Sequence, residues 1–134
     1  MAEETLKPMI VSYTDVPAAL FGDEAPGVSV RILIDEERDG APVYVLRLFE
    51  VAPGGHTPDH SHPFEHENFV LSGRGSVMIE GEWHELEAGY VVFVPPGVRH
   101  QYKNDGEDTF EFLCGVPVTR LRGDHQRARC EKGV

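Results

Sequence analysis

Cysteine is scarce in this chain. Cys114 and Cys130 are the only two, too few for a disulfide framework. Long apolar runs are missing as well, and none approaches the roughly 20 residues of a membrane span. The first residues lack the basic stretch and apolar run of a secretory leader. Together these absences predict a reduced, cytoplasmic protein. Positive charge is in deficit, with 12 Lys and Arg against 23 Asp and Glu and a formal net charge of −11. Such a surface is unsuited to nucleic-acid phosphates or to an anionic membrane. The deficit is uneven: residues 120–134 carry five basic and two acidic side chains, a basic tail that lies against the acidic body or has no fixed structure. Also missing is any sustained 3.6-residue apolar period, which excludes a helical core.

What is present is a succession of short β-type runs. Residues 1–27 are irregular and punctuated by Pro8, Pro17 and Pro26. From Val28 the runs VSVRILI, VYVLRLFEV, FEHENFVL, SVMIE, WHELE, YVVFV, HQYKN and TFEFLCGV alternate with turn signals such as Pro-Gly-Gly, Ser-Gly-Arg-Gly, Pro-Pro-Gly and Asn-Asp-Gly. Glycine and asparagine supply the positive φ, and proline the fixed φ, that tight turns need. Many short strands at regular spacing predict an antiparallel sandwich or small barrel. At 134 residues the chain has the length of one domain. The expected division is an N-terminal arm over 1–27, a β-barrel over 28–119 and the basic tail over 120–134.

The chemistry concentrates in histidine. His60 and His62 stand in DHSHPFEHEN, His66 follows, and His100 closes PPGVRH. Residues two apart on an extended segment share a face, so His60 and His62 aim the same way. Converging neutral imidazoles suit a divalent first-row metal.

These residues resemble the cupins, small jelly-roll β-barrels in which two short motifs build one metal site. The second cupin motif is complete in Gly89, Pro95, Gly97, His100 and Asn104, and the first begins with Gly54, His60 and His62. At the position where the family places a glutamate, the interval of six residues before Gly73 selects His66, while Glu67 breaks it. The resemblance therefore implies a metal held by His60, His62, His66 and His100, with Glu67 on the opposite face of the strand. It favours manganese or iron, with nickel, copper or zinc also compatible. Replacing a carboxylate by imidazole leaves the ion's positive charge without a ligand anion, a centre suited to an anionic or enolate-like ligand. Six-coordination leaves two positions open to water, substrate or dioxygen, whereas four-coordinate zinc closes the site.

The other polar residues divide by context. Asn104 is expected to stabilise the Asp105–Gly106 turn. His56 reads as a loop residue, and His84 and His125 as solvated. Arg47 interrupts an apolar run, so it either faces solvent or meets a partner inside; inside, it is a candidate for an acidic substrate. Arg31 invites the same question. Cys114 alternates with Phe110 and Phe112 on the expected core face, as an inert thiol or as a neighbour of the metal. Gln101 or Tyr102 is placed to reach the cavity, and Trp83 reads as packing or a subunit contact.

The expected function is that of a metal-binding cupin, leading with a dioxygenase-like oxidoreductase on a small organic molecule inside the barrel. A non-redox isomerase or decarboxylase, or a non-catalytic binding module, are the alternatives. No residue is singled out as a catalytic base and no organic cofactor is expected. The resemblance also implies a homodimer, through the apolar outer face bearing Phe69 and Leu71 or through the N-terminal segment.

Overall fold

A computed structural model describes residues 6–118. His125, Cys130 and the tail lie outside the described residues. The fold is almost entirely antiparallel sheet. Its strands are β1 (Ala19–Leu20), β2 (Val28–Ile34), β3 (Tyr44–Val51), β4 (His66–Ser72), β5 (Arg74–Ile79), β6 (Glu82–Glu87), β7 (Val91–Val94), β8 (His100–Lys103) and β9 (Phe110–Pro117). They form a six-stranded sheet in the order β1-β2-β3-β9-β4-β7 and a three-stranded sheet in the order β6-β5-β8. The expected jelly-roll barrel is therefore what the chain builds.

Alternation along the strands makes the barrel's two faces. On β9, Phe110, Phe112, Cys114 and Val116 are buried, and on β4 His66, Asn68 and Val70 are buried while Glu67, Phe69 and Leu71 are exposed. Phe49 and Tyr102 each stack on Phe112, with ring centroids 5.3 and 4.4 Å away, giving the core an aromatic spine. The sheets meet where backbone comes too close for a side chain. A Cβ on Gly73 (φ +82°) would lie 2.2 Å from the Thr109 carbonyl oxygen, so only glycine suits this corner.

Two elements were not anticipated. The segment 1–27 contains the two-residue β1, paired with Ser29 and Val30 of β2, too short to show any periodicity. The Asp35–Gly40 turn winds into a four-residue helix, α1 (Glu36–Asp39), capped by Asp35, whose side chain accepts from the Arg38 N–H, and ended by Gly40 at φ 73°. The N-terminal segment also covers part of the large sheet's outer face. Arg31 and Leu48 are register partners on that face; Arg31 donates to the Val16 carbonyl, and Leu48 is fully buried. Among the described residues no helix is long and apolar enough to cross a membrane.

Candidate metal centre

His60 and His62 lie on the segment joining β3 to β4, which has no ladder partner of its own over most of its length. It is instead stitched along β8. The His60 N–H donates to the His100 carbonyl (3.2 Å) and the His100 N–H to the His60 carbonyl (2.9 Å); further along, Thr57 N–H donates to the Tyr102 carbonyl (2.9 Å) and Gly97 N–H to the His62 carbonyl (2.8 Å). Asn104 anchors the far end, donating to the Val51 and Asp108 carbonyls and accepting from Gly106 N–H, each at 2.8 Å. That is the turn-stabilising role expected for it. At the rim, Arg99 grips Asp59 through two charge-assisted hydrogen bonds of 2.8 and 2.7 Å. The guanidinium holds the Asp59 carboxyl below its ordinary range.

This scaffold brings His60, His62 and His100 together. One ring nitrogen from each lies within 4.8 Å of the others, and the three ring centroids are 5.0 Å apart in each pair. Two of the rings are oriented by nearby backbone. Nδ1 of His62 meets the Phe64 carbonyl and Nδ1 of His100 the Val98 carbonyl, both at 2.9 Å. A carbonyl accepts only, so each Nδ1 carries the proton and each Nε2 keeps its lone pair for a ligand. Phe64 stacks on His62 at 4.1 Å and shields that ring.

His66 stands beside this trio rather than within the 4.8 Å set. Its ring meets His62 and His100 edge-on, with centroids at 4.5 and 5.2 Å. It is fully buried, and its Nε2 has no hydrogen-bond partner. Burial first, then the Arg47 guanidinium, pushes this imidazole well below its ordinary range, so it is neutral. Glu67 lies on the outer face, where a hydrogen bond with Glu65 raises its carboxyl to about 7.

Arg47 points inward and is 2% exposed. Its guanidinium lies over the Phe49 ring at 4.9 Å and donates to Cys114 Sγ at 3.2 Å. Cys114 Sγ in turn lies 3.2 Å from His66 Nδ1, so the thiol is a neighbour of the cluster. Tyr102 is the residue of its pair that enters the barrel, where its hydroxyl donates to Asn68 Oδ1, while Gln101 turns outward to the Thr57 carbonyl. Arg31 stays on the outer face beside Glu50. His56 is a loop residue as expected, and Lys103 Nζ sits over the Trp83 ring at 4.1 Å.

The donor set passes a chemical test for a divalent ion. It offers two imidazoles whose Nδ1 is engaged by backbone, His62 and His100, and on His66 a buried Nε2 without a partner whose desolvation an ion would offset.

Known proteins share this fold. A polyketide cyclase from Streptomyces resistomycificus, RemF, superposes with a TM-score of 0.78 at 36% identity, over 83% of this chain and 80% of that one. Protein SchB of Streptomyces halstedii is 30% identical over 99 residues, 73% of this chain and 69% of SchB. The tetracenomycin polyketide synthase protein TcmJ of Streptomyces glaucescens is 35% identical over 81 residues, 60% of this chain and 54% of that protein. The matched stretch thus spans about half to two-thirds of these two curated relatives. The family model described as "Cupin domain" matches residues 47–116, which run from β3 through both histidine motifs to β9. The chain belongs to the cupin family.

Proposed function

We propose that this protein is a metal-dependent enzyme that closes rings in an enolisable poly-carbonyl substrate, of the kind a polyketide cyclase acts on. The observation that carries the reading is the all-imidazole donor set. His60, His62 and His100 converge, and no carboxylate joins their group among the described residues. His66 is taken as the fourth ligand, supported by its orphaned Nε2. A divalent first-row ion bound there supplies Lewis acidity at a carbonyl oxygen. With no anionic ligand to offset the ion, negative charge on substrate oxygen is favoured. The buried Arg47 guanidinium adds to the same positive field. Phe64, stacked on His62, and the aromatic spine give the barrel beside the cluster an apolar lining. The Asp59 carboxylate at the rim is engaged by Arg99 and is poorly placed to act as a base. The likeness to RemF supports the substrate class.

The oxidoreductase reading needs a redox-active ion such as manganese or iron, together with dioxygen. One experiment separates the two. Protein purified without added metal is analysed for its ion, then incubated with a linear β-polyketone with and without oxygen. Cyclised product formed at equal rates in both, and lost in His60→Ala, is the expected result. Substrate loss matched by oxygen uptake would establish the dioxygenase instead. Tight metal binding with no turnover would leave a binding module.

A further inference from the structure

His62 and His100 are oriented by carbonyls two residues away in their own chain segments. His66 has no such help. It opens β4, paired with Val94 of β7 while its neighbour Glu67 pairs with Gly115 of β9, and the group its Nδ1 faces is a side chain. The strand order provides one. Cys114 on β9 is opposite Asn68 on β4 and opposite Arg47 on β3. Arg47, Cys114 and His66 therefore form an inward-facing row across three adjacent strands, with His66 diagonal to Cys114 at a separation that side chains bridge. All three are at most 2% exposed. The row is continuous: Arg47 Nη2 to Cys114 Sγ is 3.2 Å, and Cys114 Sγ to His66 Nδ1 is 3.2 Å.

A ring nitrogen facing sulfur is not available to an ion, so only Nε2 of His66 remains, and that is the atom without a partner. An Nε2 that ligates must hold its lone pair, which requires the proton on Nδ1. Sulfur must then be the acceptor. Building on the metal-centre reading above, we propose that Cys114 and Arg47 are positioning residues. Arg47 fixes the thiol by donating to Sγ, Sγ accepts the His66 Nδ1–H, and His66 Nε2 is presented as the fourth donor. A carboxylate in this slot would present an oxygen whichever way it turned. An imidazole presents a lone pair in one tautomer only, and the row supplies that choice.

The test reads the proton directly, in protein labelled with ¹⁵N at histidine and stripped of metal. Long-range proton–nitrogen correlation spectra should show His66, like His62 and His100, as the Nδ1–H tautomer. In Cys114→Val, which keeps volume but removes the acceptor, the His66 signals should shift towards the Nε2–H form. Zinc affinity should fall by about 10- to 100-fold, the size of an outer-shell effect. Cys114→Ser keeps an acceptor and should restore most of both. A wild-type spectrum with His66 in the Nε2–H form overturns the proposal, as does a Cys114→Val protein with unchanged tautomer and unchanged zinc affinity. Failure of the metal reading looks different, since wild-type protein would then bind no divalent ion whatever the tautomer of His66.

Discussion

An imidazole has two nitrogens, and what one does decides what the other can offer. In this cluster Nδ1 of His62 and of His100 faces a backbone carbonyl and Nδ1 of His66 a thiol, which leaves Nε2 of each ring as the nitrogen to meet a ligand. His60→Ala and His62→Ala should each weaken divalent-metal affinity at least 10-fold in calorimetric titration, on the scale of lost coordination-sphere groups. His66→Ala should weaken it as well, while Glu67→Ala leaves it unchanged; the reverse pair of results would move the fourth ligand to Glu67. Asn104 is a structural counterpart, closing three hydrogen bonds in a buried corner. Asn104→Ala should cost about 2–4 kcal/mol in chemical denaturation, because buried partners are left unpaired. At this scale the sequence was informative wherever a residue is tied to an interval, as His60, His62, His100 and Asn104 are. It placed Cys114 inward by parity alone, but not its contact with His66. That contact depends on which strands are neighbours, and nothing local in β3, β4 or β9 encodes the order β3-β9-β4.

At the scale of elements, the runs between turn signals became strands within a residue or two, because glycine and proline punctuation limits where pairing can continue. Gly73 is the corner that most depends on its residue type. Gly73→Ala combines a left-handed φ with a clash against the Thr109 carbonyl, and should lower stability by about 2 kcal/mol or more in thermal melts. The α1 turn escaped the sequence reading because four residues cannot display a helical period. It is held by Arg38, which donates to the Ile32 and Leu33 carbonyls and to Asp39. The hydrogen bond from Arg38 holds the Asp39 carboxyl below its ordinary value of 3.8. The folded form thus binds its proton less readily than the unfolded chain. The contribution is complete above 3.8 and is lost as pH falls through the lower folded value. The pair is partly exposed and worth roughly 0.5 kcal/mol. Amide protection factors around Asp35–Gly40, corrected for the intrinsic pH dependence of exchange, should fall below that pH, and Asp39→Asn should remove the dependence.

Over the whole molecule, the large sheet has two differently treated halves on its outside. The N-terminal segment covers the β2–β3 half, whereas on the β4–β7 half Phe69, Leu71, Val91 and Phe93 are 42, 40, 73 and 56% exposed. Ile10 and Leu20 of the covering segment also show outward apolar surface, at 95 and 85%. Contiguous apolar surface of this size is what interfaces bury, and we propose a second copy of this chain as its occupant, since that brings both parts at once. Light scattering at micromolar concentration should find a dimer. Phe69→Asp with Phe93→Asp should give a monomer that still binds metal; a monomeric wild type would dismiss the interface.

The mutual backbone hydrogen bonds of His60 and His100 bear on how a metal would be acquired. Because ordinary main-chain pairing holds His60 and His100 together, the fold does not need an ion to bring them into register, and the proposed metal would be loaded after folding. Occupancy then adds to stability only by mass action, unlike small domains that fold around their metal. On the metal-centre proposal, the identity of the ion becomes a question of supply at the moment of loading, and the same polypeptide grown under different metal regimes should emerge with different contents.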